Sequence, residues 1–298
     1  MNLKVCVPLT SKDLLSIKAS TTVKQRDNLS LSLKLKKLMK HSLAVFSCAA
    51  MSLVPLCLSA PVKADPPGGT MGWAKTFEDT FSNGFDTNKW NKTFWWGNGT
   101  INDGAVSYYS PNNVSVSNNS LNLVADNNSE GGKSYTGGVA NTYGKFYQTY
   151  GYFESRVKVP KGGGIGPDFS LLAEDKSWPP EINIFEIPGN YGVNATKVWM
   201  TNHYVDGKGN PSYVGGNWSS SSGLDADYHT YGLLWQPGLL AWYVDGVERY
   251  RTTVGVPDKP CYIMFMSGVS NTDWTGNPSN TPFPQYMSIN WVRAWNKN

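Results

Sequence analysis

From Trp73 onward, apolar and aromatic residues come in short runs, many of them alternating with polar ones, and Asn-Gly, Gly-Gly, Asp-Gly and Pro-Gly pairs separate the runs. Alternation with a period of two over a handful of residues is the mark of a half-buried strand, and turn-forming pairs between such runs mark hairpins and loops. The segments Val114–Val116, Leu121–Ala125, Gly151–Val159, Glu181–Ile187, Lys197–Tyr204, Thr230–Trp235, Ala241–Val244, Tyr262–Ser267 and Met287–Trp295 are predicted strands. Ala241 to Tyr250 reads as a hairpin turning at Asp245-Gly246. No sustained helical period follows Trp73, and no internal repeat is visible. The pattern predicts one all-β domain, an antiparallel sandwich over residues 73–298, preceded by a Pro/Gly-rich tether at 65–72.

One predicted strand carries charge where a buried strand should not. In Glu181-Ile182-Asn183-Ile184-Phe185-Glu186-Ile187, Glu181 and Asn183 share a face, Ile182 and Ile184 take the other, and Glu186 is out of phase by one. A β-bulge at Ile184-Phe185 would restore the phase and turn Glu186 onto the face of Glu181. Two carboxyl groups brought to about 5 Å suit a retaining glycosidase. The competing reading is an edge strand with two solvated glutamates.

The first 64 residues differ in kind from the rest. Lys34, Lys36, Lys37 and Lys40 precede an apolar run from about Ser42 to Ser59, and Val62-Lys63-Ala64 offers small residues at a peptidase site. This predicts a secretory signal within an N-terminal extension, residues 1–64, with Met39 as an alternative start and an extracellular or periplasmic destination. The run is short and interrupted by Pro55 and several serines, which argues against a retained anchor and stable membrane association. The whole chain carries a formal charge of +4, but ten of its 26 basic and two of its 22 acidic residues precede Asp65, leaving 16 basic against 20 acidic. A net acidic domain is a poor partner for nucleic acid. Only Cys261 lies beyond residue 64, so the domain has no internal disulfide, and Cys261 reads as a buried apolar filler. All 12 tryptophans and 16 tyrosines fall in the domain, more than a core of this size needs. A groove that stacks sugar rings on aromatic faces accounts for the surplus.

At this point the sequence resembles family 16 of the glycoside hydrolases, the laminarinase, lichenase, agarase and carrageenase group. The family signature is E-[ILV]-D followed by two hydrophobic residues and E, and Glu181 to Glu186 matches it with Asn183 in place of the acid. Tyr150 to Pro160, Pro167 to Leu172, Trp178-Pro179-Pro180, His229 to Trp235, Trp242 to Gly246, Thr281 to Gln285 and Ile289 to Trp295 agree in order, covering about Phe77 to Trp295. The resemblance implies a concanavalin-like β-jelly-roll of two curved antiparallel sheets with a concave substrate cleft. It also implies Glu181 as nucleophile and Glu186 as acid/base, with position 183 tuning the nucleophile. Asn183 keeps the size of the acid, loses its charge and adds donors, so a displaced pH optimum is expected.

Position and alternation add substrate-binding candidates. Trp178 enters the catalytic strand, Trp199 and His203 share a face of the next one, and Trp95 and Trp274 lie in loop-like sequence suited to cleft walls. Glu154 and Arg156 alternate together on the strand before, facing either the cleft or a structural partner. Gly162-Gly163-Gly164 reads as a flexible cleft-edge loop. Many members of the family bind a structural calcium through acids near the first and last strands, where this chain has Thr80 and Asn290; that site is expected to be weakened or missing, and no metal is required. The expectation is a secreted, monomeric endo-β-glycanase acting on a polysaccharide, most simply a β-1,3- or mixed β-1,3/1,4-glucan. The rivals are an exopolysaccharide or galactan depolymerase of the same fold, and a carbohydrate-binding module whose site has decayed.

Overall fold

In the computed structural model, alternation along the chain resolves into two sheets packed face to face. Residues 65–97, 99–101, 105–191 and 195–298 are described; the predicted signal and extension at 1–64 lie outside them. The strands are β1 (Trp73–Asp79), β2 (Ser107–Tyr109), β3 (Val114–Ser117), β4 (Ser120–Ala125), β5 (Tyr135–Asn141), β6 (Gly151–Lys158), β7 (Ile165–Ala173), β8 (Glu181–Glu186), β9 (Lys197–Val205), β10 (Pro211–Ser219), β11 (His229–Gln236), β12 (Leu239–Val244), β13 (Val247–Thr252), β14 (Cys261–Val269) and β15 (Gln285–Lys297). Three single-turn 3₁₀ segments are the only helical structure among the described residues.

One sheet runs β13-β12-β11-β6-β15-β4-β3, with β1 also paired to β15; the other runs β10-β9-β8-β7-β14-β5-β2. Pairing is antiparallel except between β2 and β5, which run parallel. Between the sheets lies the main core. Phe169, Leu171, Ile182, Phe185, Ile263 and Phe265 come from the seven-stranded sheet; Phe153, Leu233, Trp235, Trp242, Met287 and Val292 face them from the other. Cys261 is part of this core, where burial pushes its thiol up to about 12 and leaves it inert.

β1, β2, β5, β7 and β10 are absent from the predicted segments, and of these β5 and β10 contain Gly-Gly pairs that mimic turn signals. In β5 those glycines permit close approach: a Cβ on Gly138 would lie 2.6 Å from the Asn113 carbonyl oxygen. The Asp245-Gly246 turn joins β12 to β13 as predicted, both residues having positive φ. The 162–164 glycines are packed rather than free. They carry the chain from β6 in one sheet to β7 in the other, and a Cβ on Gly164 would meet that of Pro278 at 2.5 Å.

That crossing overturns the cleft reading of Arg156. It stands on β6, in the sheet opposite β8, where Nη1 donates to Asn290 Oδ1 at 3.1 Å and the guanidinium sits 4.5 Å from the Tyr228 ring centre. β6 and β7, though consecutive in sequence, belong to different sheets. Glu154, on the same strand, is buried opposite Arg293, and its Oε1 accepts a hydrogen bond from the Tyr152 hydroxyl at 3.1 Å. Burial outweighs the bond from Tyr152 and the charge of Arg293, and pushes Glu154 up to about 8.

A carboxyl raised in the folded state holds a proton that the unfolded chain releases above about pH 4.5. Stability from this group is therefore full below that pH and falls by roughly 3 kcal/mol by pH 7. Glu154→Gln keeps an acceptor for Tyr152 and removes the charge. Urea unfolding should find the variant more stable than the parent at pH 8 and no more stable at pH 4.5.

Candidate active site

β8 is an interior strand, between β7 and β9, which removes the edge-strand reading of its glutamates. Its register shows the bulge. Phe169 pairs with Phe185 while Ser170 pairs with Asn183, so Ile184 has no counterpart on β7. On the other side Asn183 pairs with Thr201 and Glu186 with Trp199, two intervening residues facing one. Ile184 and Phe185 both enter the core, and Glu181, Asn183 and Glu186 all line one cavity of about 290 Å³ on the opposite face.

The bulge is tied down from across the core, where Trp242 Nε1 on β12 donates to the Asn183 carbonyl at 2.9 Å. Trp242→Phe would remove that donor and leave a gap beside the carbonyl. The expected loss is about 2–4 kcal/mol in urea unfolding. Because the carbonyl belongs to the bulge, kcat should fall more than KM rises.

Each carboxyl group has its own surroundings. Glu181 receives two donors: Trp178 Nε1 on Oε2 at 2.7 Å and Asn183 Nδ2 on Oε1 at 3.2 Å. Glu186 stands at the other end of the strand. Its enclosure, and next the charge of Glu181, push it up to about 7. A third acid, Asp168 on β7, stands directly opposite Glu186 in the ladder and is buried. Ser170 Oγ donates to Asp168 Oδ2 at 2.7 Å and Asn183 Nδ2 to Oδ1 at 3.2 Å. Sequence reading did not single out Asp168 or Ser170. The signal was present, since Gly166, Asp168, Ser170 and Leu172 alternate with Pro167, Phe169 and Leu171.

Aromatic rings border these acids at both ends of β8. Near Glu181, the exposed Trp178 ring lies 5.7 Å from His203, which pairs across β9 with Glu181 and sits 6.1 Å from Tyr213. Near Glu186, Trp199 packs on Trp274 at 4.9 Å, and Trp274 lines the cavity. Trp95 stands farther off, in T-shaped contact with Trp96; Trp96 stacks on Phe94, which meets the cavity-lining Tyr109. Lys176 lies 4.8 Å from the Trp95 ring centre.

Neither residue at the two expected calcium positions offers a carboxylate. The only acceptor oxygen of the Asn290 side chain receives the Arg156 guanidinium, and Thr80 Oγ1 lies 3.1 Å from Ser82 Oγ. No group of three or more His, Cys, Asp or Glu suited to a metal occurs among the described residues.

Two glutamates on one bulged strand above an aromatic-rimmed cavity define a geometry that comparison with known proteins can place. The sequence profile of Glycosyl hydrolases family 16 matches residues 101–293. The chain belongs to that family. Among curated relatives, it is 31% identical over 252 residues to the endo-1,3-1,4-beta-glycanase ExsH of Rhizobium meliloti, covering 74% of this chain and 51% of ExsH. It is 33% identical over 207 residues to a beta-glucanase of Acetivibrio thermocellus, covering 67% and 57%. The chain thus spans about half the length of these family 16 relatives. Among solved structures, the catalytic domain of an endo-1,3-beta-glucanase (laminarinase) from Thermotoga petrophila superposes with a TM-score of 0.65 at 27% identity, over 76% of this chain and 98% of that domain. The family 16 jelly-roll is therefore the architecture of the two sheets.

Proposed function

We propose that this family 16 member is a secreted endo-β-glucanase that cleaves internal bonds of a β-1,3- or mixed β-1,3/1,4-glucan with retention of configuration. The observation that carries the reading is the bulge of β8, which puts Glu181 and Glu186 into one cavity with opposite surroundings. Glu181, with a donor on each oxygen, is fixed in orientation for attack. Glu186, raised to about 7, holds a proton to give. Division of labour between two unlike carboxyl groups is what a retaining glycosidase needs.

In the first step Glu186 protonates the glycosidic oxygen as Glu181 attacks the anomeric carbon; the C–O bond to the leaving sugar breaks and a glycosyl ester forms. In the second, Glu186 removes a proton from water, which attacks the same carbon and releases Glu181. Two inversions leave the configuration unchanged. Trp178, His203 and Tyr213 on one side and Trp199 and Trp274 on the other are suited to stacking sugar rings along the chain. The names of the relatives support a glucan as substrate, and the cluster of basic residues before an apolar run supports export.

Incubation of the protein with laminarin, lichenan and agarose, followed by assay for new reducing ends, tests the reading. Laminarin or lichenan should yield short oligosaccharides whose first-formed anomer, followed by proton NMR, is β. Cleavage of agarose alone would move the protein to the galactan depolymerases. Binding without cleavage would make it a carbohydrate-binding module.

A further inference from the structure

Asn183 leaves the site without the acid that the family signature places between the two glutamates, yet the cavity still holds three carboxyl groups. The third comes from the neighbouring strand. We propose that Asp168 is a positioning residue of this site: it holds the Asn183 amide against Glu181 and stands opposite Glu186 as a second acid in the same enclosed space. This rests on the hydrolase reading and deepens it.

The hydrogen bonds fix the direction of the amide. Asn183 Nδ2 lies 3.2 Å from Asp168 Oδ1 and 3.2 Å from Glu181 Oε1, and both of those oxygens accept. Only an NH₂ group can satisfy the two together, one proton to each. An unprotonated Asp at 183 would set its oxygens against both and would make four acids in one enclosed space. Asp168 and Asn183 thus fit as a pair, the acid on β7 and the bridging amide on β8.

The groups around Asp168 leave its charge without a cation. Ser170 on its own strand and Asn183 on β8 donate to it; Glu186 and Glu181 on β8 repel it, and the Tyr109 phenol on β2 is pushed up by it as well as by burial. Met266 opposes it on β14 and does not titrate. No Lys, Arg or His is among the described residues lining the cavity. Asp168 and Glu186, opposite one another in the ladder, therefore titrate as a coupled pair: burial raises both, the charges of Glu186 and Glu181 raise Asp168 further, and the charge of Glu181 raises Glu186.

The experiment is a charge-exchange cycle: the parent, Asp168→Asn, Asn183→Asp and the double variant. Each is read by pH–rate profiles on laminarin and lichenan and by titration of selectively ¹³C-labelled glutamate carboxyls by NMR. In Asp168→Asn the Glu186 midpoint and the alkaline limb of kcat should both move down by about one pH unit, with kcat at least tenfold lower and KM changed less than threefold. Asn183→Asp should lose activity on its own. The double variant, which returns one acid to the cluster at position 183, should recover at least tenfold over Asp168→Asn. A Glu186 titration curve unchanged in Asp168→Asn overturns the proposal, as does a double variant no better than the product of the two single losses. If Asp168→Asn does not fold, Ser170→Ala removes one of the two donors to Asp168 and should shift the Glu186 midpoint the same way by a smaller amount; no shift there counts equally against it. The titration needs no turnover, so a parent that cleaves no glucan while Glu186 still responds to Asp168 would sink the hydrolase reading and leave the coupling standing.

Discussion

Glu181→Ala is expected to lower kcat on glucan by on the order of 10⁵-fold while leaving KM within a few-fold of the parent. The variant removes the atom that must bond to the anomeric carbon and leaves the rings that hold the sugar chain. Alanine is a better probe than glutamine at this position. Trp178 Nε1 and Asn183 Nδ2 both point donors at Glu181, so a Gln amide would bring its own NH₂ against one of them and confound loss of the nucleophile with local rearrangement. The shortened side chain also opens space on the face from which attack occurs. A small anion such as azide should enter it and restore turnover of a substrate with a good leaving group, giving a glycosyl azide of the opposite anomeric configuration to the substrate. A variant retaining more than about one part in a hundred of parental kcat, or an azide product with the substrate's configuration, would take the nucleophile's role away from Glu181.

Much of this site was legible before any coordinates, because a strand leaves only two faces for its side chains. The phase break between Glu181 and Glu186 required a bulge if both acids were to face one way, and the register places it at the expected residues. The Asp245-Gly246 turn was legible for a similar reason: few residue pairs accept positive φ twice in succession. What failed depended on long-range packing. β5 and β10 were hidden by glycines that serve close backbone approach, as at Gly138 against the Asn113 carbonyl, and look like turns in the sequence alone. Arg156 was misplaced because order along the chain does not report which sheet a strand joins. Its strand pairs with β11 and β15, while β7 and β9 flank β8. Asp168 went unnoticed for the complementary reason. Its importance lies in standing opposite Glu186, and a cross-strand register is a property of two segments.

Glu186→Gln should separate chemistry from stability in opposite directions. The proton that Glu186 delivers is present while pH stays below about 7, so parental kcat should fall as pH rises through that value. Glutamine has no proton to give. On glucan, kcat should drop about 10²–10⁴-fold and the alkaline limb should vanish. An aryl glycoside with an acidic phenol needs little protonation of its leaving oxygen and should be cleaved in the first step at close to the parental rate, after which the glycosyl ester accumulates. Stability should move the other way. A carboxyl raised by burial and by Glu181 binds its proton more tightly folded than unfolded, so its contribution is complete below about pH 4.5 and is lost as pH climbs toward 7. Gln at 186 escapes that loss and should gain on the order of 1–3 kcal/mol at pH 8 relative to the parent. A module that only bound sugars would have no use for such a conflict, since one substitution relieves it. Three acids, Glu181, Glu186 and Asp168, in a cavity with no basic lining residue among those described suit a site that moves protons. If Glu186→Gln proved no more stable at pH 8 and still cleaved glucan at the parental rate, both the raised proton affinity and the acid/base role would be wrong together.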